Sequence, residues 1–373
     1  MAFASPGRPG LSGWLNRRIA RPAFQDWAER MPVLNRLARR DGAEIFDLVQ
    51  GFVRSQVLYA LVSLDLPQRL MAGPASVEAL ALGDGMDRAR MALLLRAGAG
   101  IGVLKRRRDG RFALTRKGAA LCGVPGLRQM ILHHGAFYRD MGDPVALLRG
   151  DAETELAAFW PYVFGAAGAL DPDVTRTYSD LMAESQALVA KDTLRTVSLA
   201  GVRQLMDVGG GSGAFLIEVA RACPGTALDL FDLPAVMEAA EERVRRAGLA
   251  GRIALHPGSF RDDPLPVGAD AISLVRVLYD HDDATVRALL RRVFEALPPG
   301  GRLIVSEPML GGETPDPVTD VYFAFYTLAM RTGRTRSASE IEALCREARF
   351  ADVTRHRPRR SFVTSVVTAV RTV

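Results

Sequence analysis

The stretch Leu205–Leu216, LMDVGGGSGAFL, constrains this chain more than any other. An apolar run ends in Asp207, three glycines follow, then Ser212 and Gly213, and an apolar helix start begins at Ala214. Glycines let the backbone turn sharply and let a ligand approach main-chain N–H groups with no Cβ in the way. Asp232 then closes the next apolar run, TALDLF, about 20 residues after the turn, where a carboxylate accepts both hydroxyls of a ribose. Strand, glycine turn, helix, strand and acid together point to a nucleoside cofactor.

Two such cofactors fit. Gly209-x-Gly211-x-x-Ala214 meets the relaxed dinucleotide fingerprint. Asp207, two residues before the first glycine, favours S-adenosylmethionine, because an acid there holds the amino group of the methionine half, directly or through water. The loop also lies mid-chain rather than near the start. A turn that only packs a helix on a strand is the remaining alternative. Asp207, Gly209, Gly211, Gly213 and Asp232 are thus candidate cofactor contacts, with S-adenosylhomocysteine as the product.

At 373 residues the chain is long enough for two domains with their own cores. Cys122, Cys223 and Cys345 are scattered, which argues against disulfides and a thiolate metal site and for a reducing, cytoplasmic compartment. His133-His134 has no carboxylate or cysteine pattern beside it, so no metal is expected. Residues 1–40 carry eight arginines against Asp26 and Glu29, a net +6 that equals the formal charge of the whole chain. Trp14, Leu15, Ile19, Phe24, Trp27, Leu34 and Leu37 are interleaved with them. Such an arm, residues 1–42, suits either an interfacial contact with anionic lipid, on an inner or photosynthetic membrane, or a packed arm with a solvated basic face. It has no apolar core of the length a secretory signal needs. The uncharged stretch Leu156–Leu170 is too short for a span of about 20 residues; it could wall an apolar substrate channel or be plain core.

The next domain is expected over 43–180. Ala43–Leu70 has helical apolar spacing. Ser76 caps a short helix, a turn follows at Gly83–Gly85, and a second helix runs Asp87–Ala97, ended by Gly98. A hairpin then runs from Val103 to Leu114 through Asp109-Gly110. This is a winged-helix plan. Its second helix is mostly apolar (Met91, Leu93, Leu94, Leu95), which suits burial or a second chain better than a DNA groove, so no nucleic acid is expected.

From residue 181 a methyl-donor-binding domain is expected. Strand candidates Gln204–Val208, Ala227–Phe231, Arg252–His256, Ala271–Val277 and Arg302–Ser306 alternate with helices at Ala214–Ala222, Ala235–Ala247 and Asp283–Ala296. Helical segments follow near Thr319–Arg331 and Ala338–Arg349, then strands near Asp352–Arg355 and Phe362–Val370. Alternation gives a doubly wound, Rossmann-like α/β sheet with its ligand at the carboxyl ends of the strands. The terminal strand hairpin fits a class I S-adenosylmethionine methyltransferase sheet with a terminal antiparallel strand.

With these motifs in place the chain resembles the two-domain small-molecule O-methyltransferases. The resemblance rests on DVGGGSG (Asp207–Gly213), DLP (Asp232–Pro234), LVRVLYDHDD (Leu274–Asp283), ALPPGGRLIVSEP (Ala296–Pro308) and GRTRSASE (Gly333–Glu340), and covers about residues 43–373. Within that family the arm, the AEIFDLVQGFVRSQVLYA helix and the VRVLYDHDD block are most similar to the bacterial carotenoid 1-hydroxy O-methyltransferases. The resemblance implies a winged-helix dimerisation domain, a homodimer, an apolar small-molecule substrate, and further cofactor contacts at Leu233, Ser259, Phe260 and Arg276.

The family's usual block reads L-H-D-W, with His as general base; here Leu278-Tyr279-Asp280-His281 stands there. The family's steering acid in G-x-E-R-T is replaced by Thr335, leaving Glu307 as the remaining polar catalytic position. Tyr279, His281 and Glu307 are therefore the candidate catalytic residues, and a His281 base implies a turnover loss of about 10²-fold on removal. His133, His134, Met141 and Met182 could line the substrate site or be structural. A phenol, with a pKa of about 10, benefits from a base. An aliphatic tertiary alcohol cannot be ionised in advance, so a departed base pattern suits it better. The implied activity is methylation of the tertiary 1-hydroxyl of an acyclic carotenoid; a phenolic or polyketide acceptor, and a DNA-binding regulator that senses S-adenosylmethionine, are the alternatives.

Overall fold

Apolar residues at helical spacings make the first part of the chain almost entirely helical. The computed structural model describes residues 11–159, 186–360 and 363–372, and the chain divides into two compact units between Thr115 and Arg116. The first unit opens with α1 (Leu11–Ile19), α2 (Pro22–Glu29) and α3 (Pro32–Ser63). Pro22 and Pro32 stand in first helical turns, where a missing N–H costs nothing. The helix expected over 43–70 therefore begins earlier, at Pro32. It stops at Ser63 because Asp65 takes a left-handed conformation, φ 51°, before α4 (Leu66–Met71).

The winged-helix plan follows. Ser76 caps α5 (Val77–Asp84) by accepting from Ala79 N, and left-handed Gly85 closes it. Asp87 caps α6 (Arg88–Gly100) through the N–H groups of Ala89 and Arg90. β1 (Leu104–Arg106) pairs with β2 (Phe112–Leu114), with Gly110 at φ 83° in the turn. Gly98 does not end α6 as expected; it lies inside the helix and is a packing site. A Cβ there would stand 3.0 Å from a methyl of Leu61 and 3.0 Å from one of Leu104. Met91 and Leu95 are fully buried, so α6 spends its apolar face on the core that Leu61, Leu66, Leu80 and Phe112 complete. By contrast, α1 to α3 leave Trp14, Trp27, Phe46, Leu48 and Phe52 exposed. An 18-residue window of α3 is apolar enough to cross a membrane by length and composition alone, and 11% of it is buried.

The second unit begins with α7 (Arg116–Gly123), α8 (Leu127–Asp140), α9 (Pro144–Arg149) and α10 (Glu155–Phe159). The boundary expected at residue 180 is therefore displaced, because these helices pack with the sheet domain. Buried Asp140 accepts from the N–H groups of Glu155 and Leu156, and Phe137, Leu147 and Leu156 cluster with Tyr326 and Met330. The stretch Leu156–Leu170 beyond residue 159, and Met182, lie outside the described residues.

Seven strands follow in the order β10-β11-β7-β6-β3-β4-β5. β3 (Gln204–Val208), β4 (Ala227–Asp232), β5 (Ile253–Pro257), β6 (Ala271–Val275) and β7 (Arg302–Glu307) are parallel. β11 (Ser365–Arg371) joins β7 antiparallel, and β10 (Phe350–His356) joins β11. A two-residue ladder, β8 (Met309–Leu310) on β9 (Arg336–Ser337), stands apart. α11 (Ala214–Ala222), α12 (Pro234–Arg246), α13 (Asp283–Ala296), α14 (Ala324–Met330) and α15 (Ala338–Glu347) complete the unit. The segment expected over 319–331 divides into a π-helical turn, Thr319–Phe323, and α14. β3 lies between β4 and β6, so the strand order reverses there, and a crevice opens at the carboxyl ends of these strands.

Gly98→Leu should destabilise the protein by about 1–3 kcal/mol through overpacking against Leu61 and Leu104. Urea unfolding of the variant beside the unsubstituted protein measures it.

Candidate active site

The loop after β3 is shaped by what a side chain would strike. Gly209, Gly211 and Gly213 lie in the left-handed region at φ 70°, 58° and 75°. A Cβ on Gly209 would meet a methyl of Val277 at 2.9 Å, and one on Gly210 would run into the carboxylate of Asp207. Asp207 is 1% exposed. Its Oδ1 accepts from Ser273 Oγ at 2.6 Å, while Oδ2 is buried without a partner. Burial pushes its pKa up to about 7; the hydroxyl of Ser273 opposes the rise and the charge of Asp232 adds to it. A buried carboxylate oxygen lacking a donor is costly, and an ammonium group is the ligand chemistry that suits it. Asp232 ties the loop to the end of β4: Oδ2 accepts from Gly211 N at 2.6 Å and Oδ1 from Leu233 N at 2.7 Å. Each oxygen keeps a lone pair for hydroxyl donors.

The adjoining cleft is lined by Gly209, Asp232, Leu233, Ser259, Phe260 and Arg276, together with Arg261, Val277, Asp280 and His281. Gly211 and Gly213 act through the backbone, one holding Asp232 and the other preceding α11 in a left-handed conformation. Ser259 is held by Asp262 and Asp263. The orphaned Oδ2 of Asp207, the cradle that a Cβ would fill and the twice-anchored Asp232 fit S-adenosylmethionine. Sequence reasoning did not single out Asp280. It is 8% exposed and has an unpartnered Oδ1, and burial, with the charge of Glu307, raises its pKa well above the usual carboxylate range. Its position in the Leu278–His281 block was the available signal.

The backbone of residues 276–281 forms the far wall. Arg276 takes φ 58°, rare for a side-chain-bearing residue, and donates its N–H to Ser306 O at 2.9 Å. A 3-10 turn, Leu278–Asp280, follows. Glu307, at the end of β7 and 1% exposed, accepts from Val277 N at 2.8 Å and Leu278 N at 2.7 Å through the same oxygen. Burial pushes it up to about 7 against those donors. Glu307, expected among the catalytic residues, is therefore turned onto the backbone and positions the turn. Fully buried Arg336 binds the opposite side, donating to Leu278 O at 2.7 Å, His281 O at 2.9 Å and Asp283 Oδ1. Gly333 abuts the backbone of Tyr279 to His281 so closely that no Cβ fits.

The two remaining catalytic candidates leave this turn toward different surroundings. His281 faces the cofactor cleft: its Nδ1 is 3.1 Å from Arg261 Nη2 and its ring meets Phe260 edge-on at 5.2 Å. Burial, helped by the Arg261 charge, lowers its pKa to about 4. It thus stands beside the group expected to cover the adenine, which does not suit the expected base for the methyl acceptor. Tyr279 is 3% exposed and packs with Phe137, Leu156, Tyr326 and Met330. Its hydroxyl is 3.3 Å from Arg276 Nη2, which donates to it, and burial raises its pKa, so it stays protonated. Thr335, in the steering acid's place, bonds Phe323 O and Thr327 Oγ1 at 3.2 Å each and serves packing. His133 and His134 join the aromatic cluster: His133 Nε2 lies 2.8 Å from Tyr326 Oη, and His134 stacks on Tyr322 at 5.5 Å. Met141 packs against the same cluster.

This strand order, glycine loop and paired acids, preceded by a winged-helix unit, define a class I S-adenosylmethionine-dependent methyltransferase. Residues 46–122 match the O-methyltransferase dimerisation domain and residues 138–351 the O-methyltransferase domain. Demethylspheroidene O-methyltransferase of Cereibacter sphaeroides is 58% identical over 374 residues, with 99% of this chain and 98% of that protein covered. Its namesake from Rhodobacter capsulatus is 48% identical, with 99% and 92% covered. Human N-acetylserotonin methyltransferase, solved in complex with S-adenosylmethionine, shares the fold at TM-score 0.76 and 24% identity, with 89% of this chain and 98% of that chain covered. Mitomycin 7-O-methyltransferase matches at TM-score 0.76 and 26% identity, with 90% and 100% covered. The chain belongs to the O-methyltransferase family and is an S-adenosylmethionine-dependent O-methyltransferase.

Asp207 sets a pH test. Its folded pKa is raised, so its contribution to stability is fully present below its ordinary value of 3.8 and is lost as the pH rises through about 7. Asp207→Asn should flatten that loss. Cofactor affinity should rise over the same window and fall about 10- to 100-fold in the variant, the worth of a hydrogen bond to a charged group. Unfolding and calorimetric titration at about pH 5 and about pH 8 check both.

Proposed function

We propose that this enzyme methylates the tertiary 1-hydroxyl of an acyclic carotenoid, acting as a homodimer on an anionic membrane surface. The observation that carries this reading is the 58% identity to a demethylspheroidene O-methyltransferase across 99% of the chain. The buried aromatic cluster around Tyr279 supports it, being suited to an apolar acceptor.

Bound in the cleft, S-adenosylmethionine supplies an electrophilic methyl carbon on a sulfonium sulfur. Asp207 and the glycine loop would hold its methionine half, Asp232 and Leu233 its ribose, and Ser259, Phe260 and His281 its adenine. Tyr279, kept protonated by burial and oriented by Arg276, donates a hydrogen bond that places the acceptor oxygen. Apolar walls keep water away, and orientation with exclusion of solvent lowers the barrier.

The partner surfaces follow from exposure. Phe46, Val49, Phe52 and Val53 on α3 are exposed apolar residues within the matched dimerisation segment, which suits a second copy. Ahead of them, Trp14 carries the Arg18 guanidinium 4.9 Å above its ring, and Leu15, Ile19 and Trp27 are exposed among Arg17, Arg21 and Arg30. Aromatic and basic side chains on short helices suit the interface of an anionic bilayer, where a carotenoid would dissolve.

Labelled S-adenosylmethionine should label a detergent-dispersed 1-hydroxy acyclic carotenoid and leave a panel of small phenols unlabelled; label in the phenols alone would overturn the substrate. The protein should sediment with phosphatidylglycerol-containing vesicles and not with neutral phosphatidylcholine. Trp14→Ser with Trp27→Ser should weaken that partition at least about tenfold. Equal sedimentation with both vesicles, or none, would remove the membrane contact.

A further inference from the structure

The aromatic cluster behind Tyr279 contains a polar pair that methyl-donor binding does not use. His133 on α8 and Tyr326 on α14 are 193 residues apart in sequence, yet Nε2 and Oη are 2.8 Å apart. The rings packed around them are aromatic and apolar, and the charges of Arg276 and Asp280 act on Tyr326 from the neighbouring turn. Phe137 meets the Tyr326 ring edge-on at 5.5 Å and Tyr322 stacks on it at 5.7 Å, while Ala329 and Met330 are fully buried beside it. Tyr326 is 5% exposed and His133 is half-buried. The hydrogen bond between phenol and imidazole offsets part of the cost of taking them out of water, a cost that two apolar side chains would not carry.

The reaction has a proton to dispose of, and Asp280 lines the donor cleft with an unpartnered Oδ1. Glu307 holds the backbone of Val277 and Leu278. Tyr279 already receives a hydrogen bond from Arg276 and packs in the same cluster as Tyr326. His281 faces Phe260 and Arg261 on the cofactor side. We propose that the acceptor hydroxyl gives its proton to His133 through Tyr326, with Tyr326 touching the acceptor as the catalytic residue and His133 acting through it.

The inference rests on methyl transfer to an aliphatic hydroxyl, and the step balances. A lone pair of the acceptor oxygen forms the new C–O bond, and the C–S bonding pair stays on sulfur, which becomes a neutral thioether. The hydroxyl proton passes to Tyr326 Oη while the proton of Tyr326 passes to His133 Nε2. One positive charge leaves sulfur and one arrives on the imidazole; the tyrosine ends unchanged. An alkylated oxygen that still carries its proton is a far stronger acid than an imidazolium, so the transfer runs downhill. Burial, with the neighbouring His134 charge, lowers the His133 pKa to about 4. The ring therefore starts neutral and returns its proton to water after each turnover.

The test uses the full-length enzyme, labelled S-adenosylmethionine and a detergent-dispersed 1-hydroxy acyclic carotenoid. Tyr326→Phe and His133→Ala should each lower kcat about 10²-fold, with KM for S-adenosylmethionine within roughly twofold. The double variant should be no slower than the slower single one, because the pair works as a unit. Added imidazole should restore part of the His133→Ala rate and none of the Tyr326→Phe rate. Wild-type kcat in either variant, losses that multiply in the double variant, or no response to imidazole would overturn the relay. Should Tyr326→Phe fail to fold, His133→Gln keeps a hydrogen-bond partner without a base: a comparable loss of kcat supports the relay and a wild-type kcat overturns it. No turnover of the carotenoid by the unsubstituted enzyme would remove the substrate assignment and the relay with it, whereas turnover that Tyr326→Phe leaves intact removes the relay alone.

Discussion

The active site depends on a clamp around one short piece of backbone. Glu307 accepts the N–H groups of Val277 and Leu278, while Arg336 donates to the carbonyls of Leu278 and His281. Both side chains are 1% exposed. Together they satisfy polar groups that a turn at the end of a buried strand leaves without strand partners. They also hold Arg276 at φ 58°, a conformation that costs of order 1–3 kcal/mol and persists only where its surroundings impose it. Magnitudes separate this clamp from the many surface ion pairs. An exposed pair such as Arg246 with Glu242 is screened by solvent and adds little, whereas a hydrogen bond between the backbone and a buried charged group contributes about 1.5–3 kcal/mol. The motif around Gly333 and Arg336 is thus part of the same device, although it lies more than fifty residues along the chain from the turn it holds.

The clamped turn separates two environments. Val277, Asp280 and His281 face the cleft under Phe260, and Tyr279 enters the aromatic cluster. A 3-10 turn presents successive residues in divergent directions, which is why neighbours in the sequence serve opposite sides. Chemistry with a positively charged donor and an apolar acceptor needs that separation: one wall polar and hydrogen-bonded, the other dry. The methyl must cross where the two meet, beside the turn.

Much of this was legible in the chain. β3, α11 and α13 begin and end where apolar runs, glycines and capping acids predict, and the hairpin of the N-terminal unit turns at Asp109-Gly110 as its dipeptide implies. Long helices were harder. α3 starts at Pro32 and ends before a left-handed Asp65, and helical spacing carries no mark of either limit. Gly98 reads as a helix stop but serves close packing against Leu61 and Leu104, because tertiary contact outweighs the cost of glycine within a helix. The candidate residues divided the same way. Asp207, Asp232 and Phe260 follow from local motifs and meet at one cleft edge or beneath it. His281, Tyr279 and Glu307 were grouped by position in a motif, and their roles separate because orientation at a turn is set by hydrogen bonds from β7 and β9, remote in sequence. The His133–Tyr326 pair joins two distant helices, so spacing could supply one member and not the bond.

The sign of the buried charge explains what kind of ligand the site accepts. Asp207 Oδ2, Asp280 Oδ1 and Glu307 Oε2 are buried carboxylate oxygens without hydrogen-bond partners, and burial raises the pKa of all three groups. Three such acids near one turn leave the ligand-free protein with a choice between holding protons and burying negative charge, and both cost stability. A ligand with a positive ammonium and a positive sulfonium resolves that choice by favouring the ionised carboxylates. The energy released by pairing them is available only with the cation in place, so binding and order in the turn are coupled. A neutral product lacking the sulfonium charge loses part of that attraction after transfer. The same electrostatics that draw the donor in therefore favour its exchange once the methyl group has gone.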